Sequence, residues 1–166
     1  MDFTLTPETE DFRQRIRAFV EAKLLPMEDD PKTFDEHQNI NQGLLEKMRA
    51  DAQAEGLWAL AMPKERGGQG LDIVGMAASY EEMNRSIFGP VVFNAAAPDD
   101  GNMIVLNKVA TEEQKDRWLQ PIIDGKARSS FVMTEPHPGA GSDPAGMMQT
   151  TAVLKDGTWT VKGHKW

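Results

Sequence analysis

The hydrophobic period of the chain changes near Gly125. Before that residue, apolar side chains recur at the three- and four-residue spacing of α-helices, and after it come short runs rich in β-branched and aromatic residues, which are typical of strands. At 166 residues the chain is long enough for one ordinary domain and part of another. The pattern therefore predicts an α+β chain, with an all-helical domain over residues 1–125 and a β region over residues 126–166.

Local start and stop signals divide the first 125 residues into helices. Thr6, Pro7 and Glu8 combine a capping hydroxyl, a proline suited to the first helical position and an early carboxylate, so a helix begins there. We expect it to end before Pro26. Further helices are predicted over residues 42–55 with Gly56 as the stop, after a cap at Asp72, through Met103–Val109, and from a capping box at Thr111–Gln114 to Gly125.

The helical stripes predict which side chains form the core. Glu81 and Glu82 are expected on a solvated helix face. The expected core side chains are Phe12, Ile16, Phe19, Val20, Leu24, Leu44, Leu45, Met48, Ala52, Ile73, Met76, Ala77, Tyr80, Met83, Met103, Ile104, Leu106, Val109, Trp118, Leu119, Ile122 and Ile123.

Three strands are expected in the second region: 129–134, 149–154 and 158–164, the last two joined by a turn at Asp156-Gly157. Three short strands with unpaired edges make no independent sheet domain of ordinary size. We therefore expect this region to be the beginning of a larger β domain that continues past Trp166.

Composition narrows the function classes. The chain has no cysteine and three histidines at no metal-ligand spacing, so disulfides, thiol chemistry and a metal site are not expected. Residues 1–125 carry a formal charge of −10, which argues against nucleic-acid binding. The acidic, amphipathic start is unlike a signal peptide and no apolar run reaches membrane-spanning length, so a cytoplasmic protein without membrane insertion is expected.

The segment FVMTEPHPGAGSDP, residues 131–144, is the candidate site. Residues 139–142 can present successive backbone N–H groups and the Ser142 hydroxyl to phosphate oxygens, although a purely structural loop has the same composition. Thr134 either donates to a flat heterocycle or caps the strand. Glu135 is either a general base or a solvated or backbone-capping group, and His137 is expected to be an exposed loop residue.

Five segments in order carry a resemblance to a known family: PKERGGQGLD, APDDGNMIVL, TEEQKDRWLQPIIDGKARSSF, MTEPHPGAGSDP and WTVKGHKW. Together they resemble the amino-terminal part of the flavin-dependent acyl-CoA dehydrogenases. The residues of two stretches, FGPVVFNAAAPDDGNM and MTEPHPGAGSDP, are most similar to the sequences of the branch whose animal members can be fused to a phosphotransferase-like domain. Many relatives have a shorter TEPGAGSD, so His137 and Pro138 are extra residues here.

The resemblance implies a helical N-terminal domain, a middle β-barrel that is incomplete in this chain, and a C-terminal helical domain that is absent from it. FAD then binds between the last two domains. The residues implied to contact FAD are Phe131, Met133, Thr134, Gly141, Ser142 and Trp166, and Ser142 is also implied to contact the acyl-CoA substrate.

The reaction implied is introduction of an α,β double bond into an acyl-CoA, with hydride transfer to the flavin. The family's catalytic glutamate lies beyond Trp166, so no catalytic residue is assigned and the isolated chain is expected to be inactive. Implied partners are an electron-transfer flavoprotein or a similar acceptor, and a second copy or three further copies in a homodimer or homotetramer. Two alternatives stay open: a non-catalytic binding or scaffolding module, and a related flavoprotein oxidase or monooxygenase.

Overall fold

The computed structural model describes residues 4–166. The chain divides into two compact units, with the division between Ser129 and Ser130. The first unit contains every helix of the described chain and the second contains its one pair of strands. This confirms the predicted α+β fold class, a helical N-terminal unit followed by β structure.

The helices of the first unit follow one another with short connections. They are α1 (Pro7–Phe19), a π-helical stretch (Val20–Leu24), α2 (Leu25–Glu28), a 3-10 turn (Pro31–Thr33), α3 (Gln42–Ala54), a 3-10 turn (Lys64–Arg66), α4 (Ile73–Met83), α5 (Gly89–Val92), α6 (Asp99–Val109), α7 (Glu112–Gln114), a second π-helical stretch (Lys115–Leu119) and α8 (Gln120–Ile123).

The predicted helix starts are confirmed by their caps. The Thr6 hydroxyl accepts from the Thr9 backbone N–H at 3.2 Å, and the Asp72 carboxylate accepts from the Gly75 N–H at 2.8 Å. Thr111 forms the expected reciprocal capping box with the residue three positions later. These bonds satisfy N–H groups that have no partner within the helix, so each cap fixes where its helix begins.

The predicted end of the first helix before Pro26 is wrong, because the helix continues through a π-turn to Glu28. The Leu25 N–H donates to the Val20 carbonyl, five residues back, just before the proline. The same arrangement precedes Pro121 in the last helix. The wider turn accommodates a residue that has no N–H and whose ring would clash with the carbonyl four residues back.

The core of the first unit comprises two apolar clusters. One is centred on α1 and α3 and contains Phe12, Ile16, Phe19, Val20, Leu24, Leu45, Met48, Ala52, Leu57, Leu60, Met83, Phe88, Val92, Phe93 and Ala95. The other packs around Trp58 and α8 and contains Trp58, Ala59, Met62, Met103, Leu119, Ile122 and Ile123.

Several stripe residues expected in this core are exposed instead. The most exposed are Ile73 at 80%, Val109 at 72% and Trp118 at 55%, and Ala77 and Ile104 are exposed too. The inward face of α4 is formed partly by small or polar residues, including Ser79, whose hydroxyl donates to the Gly75 carbonyl. Apolar periodicity alone placed that face incorrectly.

Glu82 was expected on a solvated face, and this expectation is wrong. Its side chain is 1% exposed and accepts from the guanidinium groups of Arg13 and Arg17 on α1, the Arg17 bonds measuring 2.7 and 2.8 Å. A carboxylate is buried at acceptable cost only when it is paired and hydrogen-bonded in this way. The ion cluster therefore joins α1 to α4.

The last residues of the first unit are bonded to a buried carboxylate on α6. The Asp99 side chain accepts from the Ser129 N–H and from the Ser129 hydroxyl, both at 2.7 Å, and from the Arg128 side chain. These bonds lower the pKa of Asp99 against the opposing effect of burial. The last residues of the unit are thus fastened to the start of α6.

The second unit contains an antiparallel hairpin of β1 (Thr151–Lys155) and β2 (Thr158–Lys162). Lys155 pairs with Thr158 around the predicted Asp156-Gly157 turn. The predicted strand 129–134 is wrong: these residues have no ladder partner within residues 4–166, and a strand is defined by such pairing. Along the described chain, no helix is both long and apolar enough to cross a membrane.

Candidate functional site

The candidate loop is closed on itself by backbone hydrogen bonds. The Glu135 N–H donates to the Gly141 carbonyl at 3.0 Å, forming an isolated antiparallel bridge. Inside the bridge the Gly139 N–H donates to the Pro136 carbonyl at 2.8 Å, and beyond it the Asp143 N–H donates to the Ala140 carbonyl at 3.2 Å. Residues 135–143 are therefore a defined turn.

The Glu135 carboxylate lies under this turn and is 3% exposed. It accepts from the Gln149 N–H at 2.6 Å and from the Thr150 N–H at 2.9 Å, and it also accepts from the Thr150 hydroxyl. An ion pair of 3.0 Å to Lys165 completes its surroundings. These contacts decide between the two roles left open above: Glu135 is a buried capping group.

The same contacts hold Glu135 in its ionised form. The backbone hydrogen bond from Gln149, followed by the one from the Thr150 hydroxyl, lowers the pKa of Glu135 far below its ordinary value of 4.5, and Lys165 adds to the effect. A general base for carbon acids needs a pKa nearer the working pH. Glu135 is therefore poorly suited to remove a proton from a substrate.

Gly139 lies directly against the Glu135 side chain. A methyl group built on Gly139 would be 2.5 Å from Glu135 Oε2 and 2.6 Å from its Cβ. Only glycine fits so close to another side chain without displacing it. The GAG stretch is thus required in part for packing, in addition to any role toward a ligand.

The structure brings two of the sequence-predicted flavin residues together. The Trp166 N–H donates to the Thr134 carbonyl at 3.2 Å, and Lys165 Nζ donates to the neighbouring Met133 carbonyl at 2.9 Å. Trp166 is 76% exposed. Its ring is consequently free to contact a flat ligand beside Thr134.

The loop also presents a set of unpaired donors. Among residues 4–166, the N–H groups of Ala140 and Ser142 have no hydrogen-bond partner, and the Ser142 side chain is exposed, while the Gly141 N–H faces the Glu135 carbonyl across the bridge. Gly141 has a φ of 62°, within the left-handed region. Two free N–H groups on either side of Gly141, beside a hydroxyl, fit the oxygens of a phosphate or diphosphate.

Phe131 is less tightly connected to this group. It is 67% exposed, and in the described chain no hydrogen bond joins its segment to the 140–142 donors. The sequence reasoning did not anticipate Thr150 and Lys165, which hold Glu135 from 15 and 30 positions along the chain. No local pattern signals pairs so distant in sequence.

Comparison with known proteins identifies the family of the chain. The family model for the acyl-CoA dehydrogenase N-terminal domain matches residues 6–126. Acyl-CoA dehydrogenase family member 10 of Mus musculus is 36% identical, with 98% of this chain and 16% of that protein covered. The Mycobacterium tuberculosis protein FadE2, described as an acyl-CoA dehydrogenase, is 32% identical, with 100% of this chain and 41% of that protein covered.

A solved structure shows the same fold. A protein from Mycobacterium abscessus, described as an acyl-CoA dehydrogenase, superposes with a TM-score of 0.84 at 35% identity, covering 99% of this chain and 42% of its own. The present chain thus spans less than half the length of these three relatives. From the matched N-terminal domain, the curated relatives and the shared fold together, we conclude that the chain belongs to the acyl-CoA dehydrogenase family.

Proposed function

We propose that this chain supplies cofactor and substrate contacts to an FAD-dependent acyl-CoA dehydrogenase, which introduces an α,β double bond into an acyl-CoA thioester. The observation that carries the proposal is the turn at residues 135–143, whose free N–H groups at Ala140 and Ser142 belong to a chain with the family's N-terminal domain. Because the chain spans less than half of its relatives, the activity is proposed for the natural polypeptide that contains it.

Within this proposal each loop group has a binding role. The N–H groups of Ala140 and Ser142 and the Ser142 hydroxyl bind the FAD diphosphate, with Gly141 between them, and Ser142 also contacts the acyl-CoA. Thr134 donates its side-chain hydroxyl to the polar edge of the isoalloxazine ring, while its carbonyl is already bonded to the Trp166 N–H. The Trp166 ring covers one side of the flavin, with Phe131 and Met133 lining the approach.

FAD, when bound, supplies the acceptor for the hydride that leaves the β-carbon. Removal of the α-proton needs a separate base. Glu135 is held ionised, with both oxygens bonded to donors of its own unit, so we propose no base within residues 4–166. We assign that step to a carboxylate outside this sequence.

The partners follow from the same proposal. The reduced enzyme must pass two electrons to an acceptor, for which an electron-transfer flavoprotein or a similar protein is the proposed class. We further propose a homodimeric or homotetrameric enzyme working in the cytoplasm. Family membership supports the class of electron acceptor and the assembly, and the acidic, amphipathic start of the sequence supports the location.

The test is anaerobic mixing of the purified natural polypeptide, with its FAD, against saturated acyl-CoA thioesters of several chain lengths. The proposal expects loss of the flavin's visible absorption band together with formation of a 2-enoyl-CoA. Tight FAD without bleaching by any thioester would contradict it. Rapid oxygen consumption during turnover would instead indicate an oxidase or monooxygenase, and a protein that binds neither FAD nor acyl-CoA would indicate a binding module.

A further inference from the structure

We propose that Glu135 is a positioning residue that sets the register of the three segments bearing the flavin contacts. This inference rests on the function proposed above and goes beyond it. Glu135 itself touches no ligand in this scheme. It acts through the neighbours that its carboxylate and backbone hold in place.

The first step is the number of segments that meet at one carboxylate. Oε2 accepts from the Gln149 N–H, and Oε1 accepts from the N–H and hydroxyl of Thr150, at the entrance to β1. Oε1 is also 3.0 Å from the Nζ of Lys165, three residues after Lys162, the last paired residue of β2. A single side chain therefore ties the turn to both chain segments at the open end of the hairpin.

The second step is the location of the predicted flavin contacts relative to these ties. Thr134 directly precedes Glu135, and Trp166 directly follows Lys165. The Glu135 N–H bonds to the carbonyl of Gly141, which lies between the free donors of Ala140 and Ser142. Thr134, Trp166 and the free donors of the loop are each no more than one residue away from a bond that Glu135 or Lys165 makes.

The third step is the absence of slack around the carboxylate. Gly139 approaches Glu135 Oε2 so closely that an added methyl group would be 2.5 Å away. On the other side, a methyl group on Gly163 would overlap the Thr150 hydroxyl, which donates to Glu135. Close packing of this kind transmits a shift of one segment to the others.

Charge makes the network specific for a carboxylate. All four groups that face Glu135 are donors, and one of them, Lys165, is cationic. A glutamine at this position has nearly the same shape but presents an NH₂ group as one of its two polar ends. That NH₂ would face donors, so at least one hydrogen bond would be lost and its partner left unsatisfied.

The experiment compares Glu135→Gln with Asp156→Asn in the natural polypeptide that contains this chain. Asp156 is exposed in the hairpin turn, and its replacement removes the same charge from the same unit without touching the network. FAD affinity is measured by titrating the apoprotein well below its unfolding temperature, and the visible spectrum of bound flavin is recorded. A residue that only stabilises the fold would lower the unfolding temperature and leave both readouts unchanged.

We expect Glu135→Gln to weaken FAD binding by about tenfold or more and to shift the flavin spectrum toward that of free FAD. Asp156→Asn should match the parent in both. Equal FAD affinity and an unchanged spectrum for Glu135→Gln would overturn the inference. A parent protein that binds no FAD at all would instead refute the proposed function itself.

A milder variant keeps the test decisive if Glu135→Gln does not fold. Thr150→Val removes one donor from the network and retains the β-branched shape that suits a strand entrance. We expect several-fold weaker FAD binding with unchanged helix content by circular dichroism. FAD binding equal to that of the parent would overturn the inference in this case too.

Discussion

Replacing Gly139 by alanine places a methyl group in space that the Glu135 side chain occupies. The new Cβ would lie 2.5 Å from Glu135 Oε2, 2.6 Å from its Cβ and 3.0 Å from the Pro136 carbonyl oxygen. Non-bonded carbon atoms prefer about 3.5–4 Å, so the overlap is roughly 1 Å. The Glu135 side chain must move, and its bonds to the 149–150 backbone must lengthen or break.

The magnitude follows from that displacement. Inserting a methyl group into close-packed surroundings costs about 1–3 kcal/mol. Since about 1.4 kcal/mol corresponds to a factor of ten, local opening around Glu135 should become roughly 5-fold to 150-fold more frequent. The N–H groups of Gln149 and Thr150, which donate to Glu135, should report this opening directly.

The assay is hydrogen–deuterium exchange at those two amides, with Gly146→Ala as the matched control. A methyl group on Gly146 would have its nearest neighbour, Asp143 Oδ2, at 3.3 Å, and it lies away from the Glu135 carboxylate. We expect Gly139→Ala to accelerate exchange at Gln149 and Thr150 and Gly146→Ala to leave it nearly unchanged. Parent-like exchange in Gly139→Ala would refute the inferred packing.

Three further predictions concern the loop and the helical unit. Ser142→Ala should weaken FAD binding by about 1.5–3 kcal/mol, as for one lost hydrogen bond to a charged group, and unchanged FAD and acyl-CoA affinities in titrations would reject that contact. The Arg17 hydrogen bond lowers the pKa of Glu82 below 4.5, so its stabilising effect is complete above about pH 4.5 and is lost as the pH falls through the lowered pKa. Glu82→Gln should therefore reduce the unfolding temperature at neutral pH and flatten its fall toward acid, and parallel curves of unfolding temperature against pH would exclude the ion cluster. Trp58→Phe removes the 2.6 Å bond from the indole N–H to the Ile123 carbonyl and leaves that buried acceptor unpaired, so the free energy of unfolding should fall by about 1–3 kcal/mol in denaturant titrations; a loss below about 0.5 kcal/mol would argue against the bond.

Features that depend on a few neighbouring residues could be predicted from the sequence. The caps at Thr6, Asp72 and Thr111 involve partners three residues away, so the local pattern contains both halves of each interaction. The turn at Asp156-Gly157 is local in the same sense. The helical unit was recognisable for this reason.

The errors occurred where distant segments decide the outcome. Glu82 looked like a solvated carboxylate because its partners Arg13 and Arg17 are more than 60 positions away. Pro26 looked like a helix end because a proline normally removes a hydrogen bond, whereas a π-turn carries this helix past it. The Glu82 contacts depend on how α1 packs against α4, and the π-turn depends on a backbone bond between Leu25 and Val20 that no residue pattern signals.

Composition and family resemblance predict the candidate loop, but they do not predict the contacts of Glu135 that hold it in place. GAGS suggests free N–H groups, and those of Ala140 and Ser142 are free in the described chain, whereas Gly141 is bridged to Glu135. The sequence does not decide whether Glu135 is a general base or a capping group, because nothing near it in sequence indicates its contacts with Thr150 and Lys165. The strand expected at 129–134 failed because its β-prone residues have no ladder partner in the described chain.

The most direct test of the central claim is hydrogen–deuterium exchange of the natural apoprotein with and without added FAD, followed at residues 140–142. The N–H groups of Ala140 and Ser142 have no partner within residues 4–166, so the binding role proposed for them predicts strong protection when FAD is added. The Gly157 amide at the hairpin turn serves as an internal reference and should be unaffected. Saturating FAD without any protection at residues 140–142 would contradict the claim that this loop binds the cofactor.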